Sequence, residues 1–392
     1  MRSERDGVRL FEPHARETPF PDVLAPLTSL RFVLALGVVL FHFQLQWTLG
    51  PDAAGLLNRA RLGVDAFFIL SGFILTHVYL QGETAPSYFA FLGARVARVF
   101  PVHWAILGGL LLLILGAPMV GVGLEPDRFN ARDFFTTLIL VQAWFPTDGM
   151  ALWNGPAWSL SAEWFAYLIF PAFAWIALRL KRRPGWLLIA AAALFVALDA
   201  LYRAAFGIVL PRAEDNLGIL RILPTFLYGV GLYYCGRRFD PGPRLSWLFA
   251  AVAAGVFAGL MQVNADDRLI VAAAGPLILA LAFVARNETG GGWLAHPAAV
   301  FAGEISYALY LVHIPVLMAW RNAVERLFGL GRDYLMGPLE LTALLSVMLV
   351  ASIGLHLLVE RPGRRGLRRL FRTRAAASSE ARLVHSDQGE PL

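Results

Sequence analysis

Leu27-Thr28-Ser29-Leu30-Arg31-Phe32-Val33-Leu34-Ala35-Leu36-Gly37-Val38-Val39-Leu40-Phe41-His42-Phe43 opens a run that reaches Leu49 and carries only two ionisable side chains, Arg31 and His42. Its length decides the fold class, because about 20 apolar residues in helical conformation cross the hydrocarbon core of a bilayer. Further stretches of the same kind follow at roughly 62–80, 101–121, 158–178, 186–206, 218–235, 245–261, 268–285, 296–320 and 338–359. A shorter apolar stretch, Phe134 to Phe145, is too brief to span and reads as a re-entrant or interfacial helix. Composition agrees with this pattern. Hydrophobic residues make up 57% of the 392 and charged residues 16%, against about 25% charged in soluble domains. Mean hydropathy is +0.58. A disordered chain, a fibrous repeat and a water-soluble globule are excluded, since so few charges cannot cover a core of this size. The expectation is an all-α polytopic membrane protein with about ten transmembrane helices plus one short helix.

Cation placement orients the bundle. With both termini cytoplasmic, the inner segments receive Arg95 and Arg98, the Arg179–Arg183 cluster, Arg237 and Arg238, Arg286 and the arginines from Arg361 onward. Cationic loops resist translocation, so this asymmetry puts both ends inside. Were 134–145 a span, the Arg179–Arg183 cluster would fall outside. Residues 1–26 form a polar N-terminal segment without the apolar core of a cleaved signal. Residues 363–392 form a basic, disordered cytoplasmic tail. The transmembrane domain is expected over 27–362. The net charge of +6 is explained by membrane lipids and topology, with no nucleic-acid partner required. Cys235 is the lone cysteine, and with no Cys/His cluster beside it no metal site is expected.

Ionisable groups at bilayer depth are costly and usually functional. Arg31 and His42 lie 11 positions apart, on one helix face and about 16 Å apart along the axis. Asp65 opens the next span, level with His42 at the outer side. A carboxylate in reach of that imidazole would fix its tautomer and raise its basicity, as a general base requires. The alternatives are a plain helix cap for Asp65, a snorkelling Arg31 and a structural histidine. Ser159, Glu163 and Tyr167 recur every four residues as a polar stripe, with Glu163 placed toward the outer side. Ser306, Tyr310 and His313 share a face of a later helix. Arg95 and Arg98, three apart, can form a two-pronged phosphate clamp at the inner side, or simply set topology.

Taken together, Arg31-x10-His42, the segment Gly63 to Phe73, Arg95-x-x-Arg98 with Pro101, the segment Trp158 to Tyr167, Ser306-Tyr307-x2-Tyr310-x2-His313-x-Pro315 and Glu360-Arg361-Pro362 resemble acyltransferase family 3. His103 stands where an aromatic residue is expected. The resemblance implies a bacterial inner-membrane O-acyltransferase acting on surface polysaccharides and related acceptors. It implies acyl-coenzyme A, with acetyl-coenzyme A the first choice, as a cytoplasmic co-substrate and no permanently bound cofactor. It gives importance for activity to Arg31, His42, Arg95 and Arg98.

The expected site therefore has His42, Asp65, Glu163 and Arg31 as catalytic residues and Arg95 and Arg98 on the donor. Ser306, Tyr310 and His313 are substrate-side or supporting residues. Direct transfer and an acyl-enzyme on His42 or a serine such as Ser71 both stay open. The acceptor is a glycan, a glycolipid or a macrolide-type metabolite. A transporter or flippase of glycan or acyl groups is the rival class, although the paired interrupted helices and internal symmetry of such carriers are not evident.

Overall fold

The computed structural model describes residues 19–48, 55–81, 87–121, 129–147, 153–287, 291–331 and 333–371. The helices are α1 (Ala25–Phe43), α2 (Gly55–Arg59), α3 (Gly63–Tyr79), α4 (Tyr88–Gly116), α5 (Ala131–Leu138), α6 (Ala157–Leu168), α7 (Phe170–Leu180), α8 (Gly185–Phe206), α9 (Ile219–Gly236), α10 (Gly242–Gln262), α11 (Asp267–Asn287), α12 (Pro297–Phe328) and α13 (Pro338–Leu355). Among the described residues nine helices are long and apolar enough to cross a membrane, and the α6–α7 pair makes a tenth if its two halves are one span. This is an all-α polytopic membrane protein.

Local chemistry places the helix ends. Proline occupies the first turn of α1, α12 and α13, where its missing N–H has no intrahelical partner to lose. Gly207 and Gly329 end α8 and α12 at φ 72° and 65°, a conformation that side chains on Cβ disfavour. The α6–α7 span bends by 59°. Pro171 sits in the first turn of α7, and proline both removes a hydrogen bond and pushes the preceding residue out of the helical region.

Two crossings hold the bundle together at backbone distance. A Cβ on Gly72 of α3 would overlap the Phe226 carbonyl of α9, and one on Gly229 would overlap the Ile69 carbonyl. A Cβ on Gly303 of α12 would overlap the Thr28 carbonyl of α1. Such small-residue contacts let helices approach closely where no water drives them together.

The expected helix at 134–145 is shorter: residues 134–138 end α5, which is eight residues long, and 139–145 follow as turns and bends. Helix α5 is tied to α4 by the buried His103, whose Nε2 lies 2.8 Å from the Thr137 carbonyl, and by Trp104 Nε1, which donates to the Leu138 carbonyl. His103 therefore has a packing role where an aromatic ring was expected.

Both tail boundaries shift. Residues 1–18 and 372–392 of the expected tails lie outside the described residues. Phe20, within the expected polar segment, is buried against Phe73, Tyr233 and Phe283. At the other end α13 passes through a π turn at His356–Glu360 and stays helical to Phe371. Residues 363–371, within the expected disordered stretch, are helical, and Phe371 packs on Gly93 of α4.

Candidate active site

A cavity of about 210 Å³ lies inside the bundle, walled by α1, α3, α4, α6 and α12. Three arginines border it: Arg31 of α1 and Arg95 and Arg98 of α4. Ser71 of α3, the α6 stripe of Ser159, Glu163 and Tyr167, and Ser306 and Tyr310 of α12 border it too. Most of the residues singled out from sequence thus border one space, whereas His42, Asp65 and His313 lie outside its lining.

At its arginine end, Arg95 sits in an aromatic cage, its guanidinium 5.5 Å from the Tyr79 ring, 5.9 Å from Phe91 and 5.8 Å from Tyr167. Arg95 Nη2 donates to the Tyr79 hydroxyl at 3.1 Å, while its buried Nε has no hydrogen-bond partner among the described residues. Arg98 lies over the Tyr307 ring and forms an ion pair with Glu360. The π turn aims Glu360 this way, and His356 Nδ1 contacts the same carboxylate at 2.9 Å. Arg361 Nε donates to His356 Nε2, and Arg361 also reaches Glu304. Glu360 was expected only as part of a terminal motif. Its grip on Arg98 spans most of the chain and leaves no local sequence signal.

Elsewhere on the cavity wall, Ser71 Oγ donates to Glu163 Oε1 at 2.8 Å. Ser159 Oγ and the Tyr310 hydroxyl lie 2.8 Å apart, and both donate to or share the Pro156 carbonyl. Ser306 instead donates to the Gly303 carbonyl one turn back, so its hydroxyl is spent on its own helix.

Beyond Tyr310 sits a histidine pair. His313, fully buried, has Nδ1 2.6 Å from the Tyr310 carbonyl, and its Nε2 lies 3.2 Å from His42 Nδ1. His42 Nδ1 also lies 2.8 Å from the Val38 carbonyl. A carbonyl only accepts, so both Nδ1 atoms carry protons. His313 Nε2 is then an acceptor toward His42, and His42 Nε2 keeps a free lone pair. That is the tautomer of a base.

The expected carboxylate partners of His42 are corrected. Asp65 is fully buried and locked to Arg221, with Nε to Oδ1 at 2.8 Å and Nη2 to Oδ2 at 2.5 Å. Arg221 also donates to the Ala213 carbonyl and lies over the Trp158 ring. A buried carboxylate needs a cation with matching geometry, which a planar guanidinium supplies and a neutral imidazole does not. Glu163 is bonded to Ser71, six residues and about 9 Å down α3 from Asp65, rather than level with His42. The imidazole is held by another imidazole.

Comparison with known proteins fits this geometry. The acyltransferase domain model of acyltransferase family 3 matches residues 26–357. The chain belongs to acyltransferase family 3. It is 30% identical over 372 residues to the acyltransferase MdmB of Streptomyces mycarofaciens, covering 86% of this chain and 91% of that protein. It is 28% identical to the exopolysaccharide production protein ExoZ of Rhizobium meliloti, covering 76% of this chain and 88% of the relative. A putative O-acetyltransferase of Staphylococcus aureus is 24% identical over 74% of this chain and half of its own length. No solved structure matches. The protein is a multi-pass membrane acyltransferase of the non-aminoacyl kind, and the rival transporter class is set aside on the family match.

Proposed function

We propose that this acyltransferase moves an acetyl or similar acyl group from cytoplasmic acyl-coenzyme A to a hydroxyl of a glycan or glycolipid on the outer side of the bacterial inner membrane. The observation that carries the reading is the single cavity bordered by three arginines, with a tautomer-fixed histidine pair just past its Tyr310 wall. Arg95, with its unpartnered Nε, and Arg98, exchanging Glu360 for a phosphate, hold the donor by charge-assisted hydrogen bonds. The thioester then reaches into the cavity. His42 Nε2 takes the proton of the incoming hydroxyl, a service worth ~10²- to 10⁴-fold in rate. Arg31 borders the cavity and stabilises the oxyanion that forms. The exopolysaccharide-production relative favours a glycan hydroxyl over a macrolide-type acceptor.

The test is donor dependence in membranes with protein abundance controlled. Arg95→Ala with Arg98→Ala raises the acetyl-coenzyme A concentration needed for half-maximal ester formation. Unchanged donor dependence removes the clamp, and label that crosses the membrane with no ester formed would show a carrier instead.

A further inference from the structure

Many serine and threonine hydroxyls on the described helices turn back on their own backbone, although Ser29 donates to the Leu294 carbonyl and Ser159 also meets Tyr310. Thr76 donates to the Gly72 carbonyl, Thr225 to Arg221, Ser246 to Gly242, Ser306 to Gly303, Ser346 to Thr342 and Ser352 to Met348. This is the default for a helical serine or threonine in a place without water. Ser71 departs from it. Its Oγ–H leaves its own helix and points at the Glu163 carboxylate, 2.8 Å away, on the wall of the cavity that Arg31 also borders.

A hydroxyl hydrogen-bonded to a carboxylate beside a fixed cation is the arrangement of an activated nucleophile. Depth supports it. On α3, Ser71 lies eight residues or about 12 Å from Tyr79, which holds Arg95, and about 9 Å from Asp65 at the other end. The cavity, at about 210 Å³, is smaller than the roughly 300–1,000 Å³ of ordinary ligand pockets.

We propose that Ser71 is a catalytic nucleophile which carries the acyl group as an ester between the two half-reactions, with Glu163 as its base. This rests on the donor and acceptor sides assigned under the proposed function. In the first half, Ser71 Oγ attacks the thioester carbon as its proton passes to Glu163. The oxyanion faces Arg31, the C–S bond breaks, and coenzyme A leaves as the thiol with the proton returned by Glu163. In the second half, the acceptor hydroxyl attacks the acyl-serine and gives its proton to His42. The C–Oγ bond then breaks, and that proton is passed back to Ser71. No oxidant or further reactant is consumed.

The purified full-length chain in lipid nanodiscs, given radiolabelled acetyl-coenzyme A and no acceptor, releases up to one free thiol per chain and retains label. Peptide mass spectrometry places the acetyl group on Ser71. Glu163→Gln slows this burst, and His42→Ala accumulates the acyl-serine without turning it over. Label on any other side chain overturns the assignment. So does a Ser71→Ala chain, present at wild-type abundance, that still esterifies cell-surface glycans, and that outcome leaves the clamp and His42 standing. A wild-type chain that never consumes acetyl-coenzyme A, with or without cell-surface glycan present, overturns the proposed function itself. Ser71→Cys, which keeps size and nucleophile, covers the case in which alanine is not tolerated. It should retain label as a thioester, and a folded cysteine variant without label counts against the nucleophile.

Discussion

His42 is held in part by a residue 271 positions away in the chain. Its Nδ1–H is fixed by Val38 and His313, which leaves Nε2 as the proton acceptor. His313→Ala should therefore lower kcat by on the order of tenfold to a hundredfold, the range typical of outer partners that orient an imidazole. The ratio kcat/KM for acetyl-coenzyme A should not move, because His42 acts only after the acyl group has left the donor. A donor KM change with kcat intact would contradict the pairing. Asp65 behaves differently. Asp65→Asn strips a buried arginine of its counter-charge and should cost about 3–5 kcal/mol of stability, visible as a fall in Tm. A second change, Arg221→Met, should recover part of that loss. Sequence alone made Asp65 and His42 look like partners, since both were expected at the outer ends of neighbouring spans. Azimuth about each helix was not legible, and Arg221 lies 156 residues further on with no local pattern linking it to Asp65.

Among the elements, α3 and α9 matter most to the site, since their crossing at Gly72 and Gly229 fixes where Ser71 points. Gly72→Ala forces a methyl group into the Phe226 backbone. Overpacking of this kind typically costs about 1–3 kcal/mol, and here it also turns Ser71 away from Glu163. The expected result is a lower Tm together with a loss of acyl transfer larger than the stability change explains. Gly108→Ala, where nothing stands in the way, should leave both unchanged. Most elements were legible from hydrophobic run length. The four-residue spacing of Ser159, Glu163 and Tyr167 identified a polar wall that does line the cavity. The π turn at His356–Glu360 was not legible, because no local residue pattern marks it and the Arg98 that Glu360 meets lies on α4, far off in the chain.

At the scale of the molecule, the claim is a division of labour across the membrane. Arginines accept the donor from one side, and a histidine pair serves a hydroxyl arriving from the other. Sealed inner-membrane vesicles of known orientation test this directly, with radiolabelled acetyl-coenzyme A supplied to one face only and the glycan ester assayed on the opposite face. Donor at the cytoplasmic face should produce ester on the far side in wild-type vesicles. His42→Ala vesicles of equal protein content and equal Tm should produce none. Ester formed equally well from donor on the outer face, or retained in His42→Ala, would contradict the account.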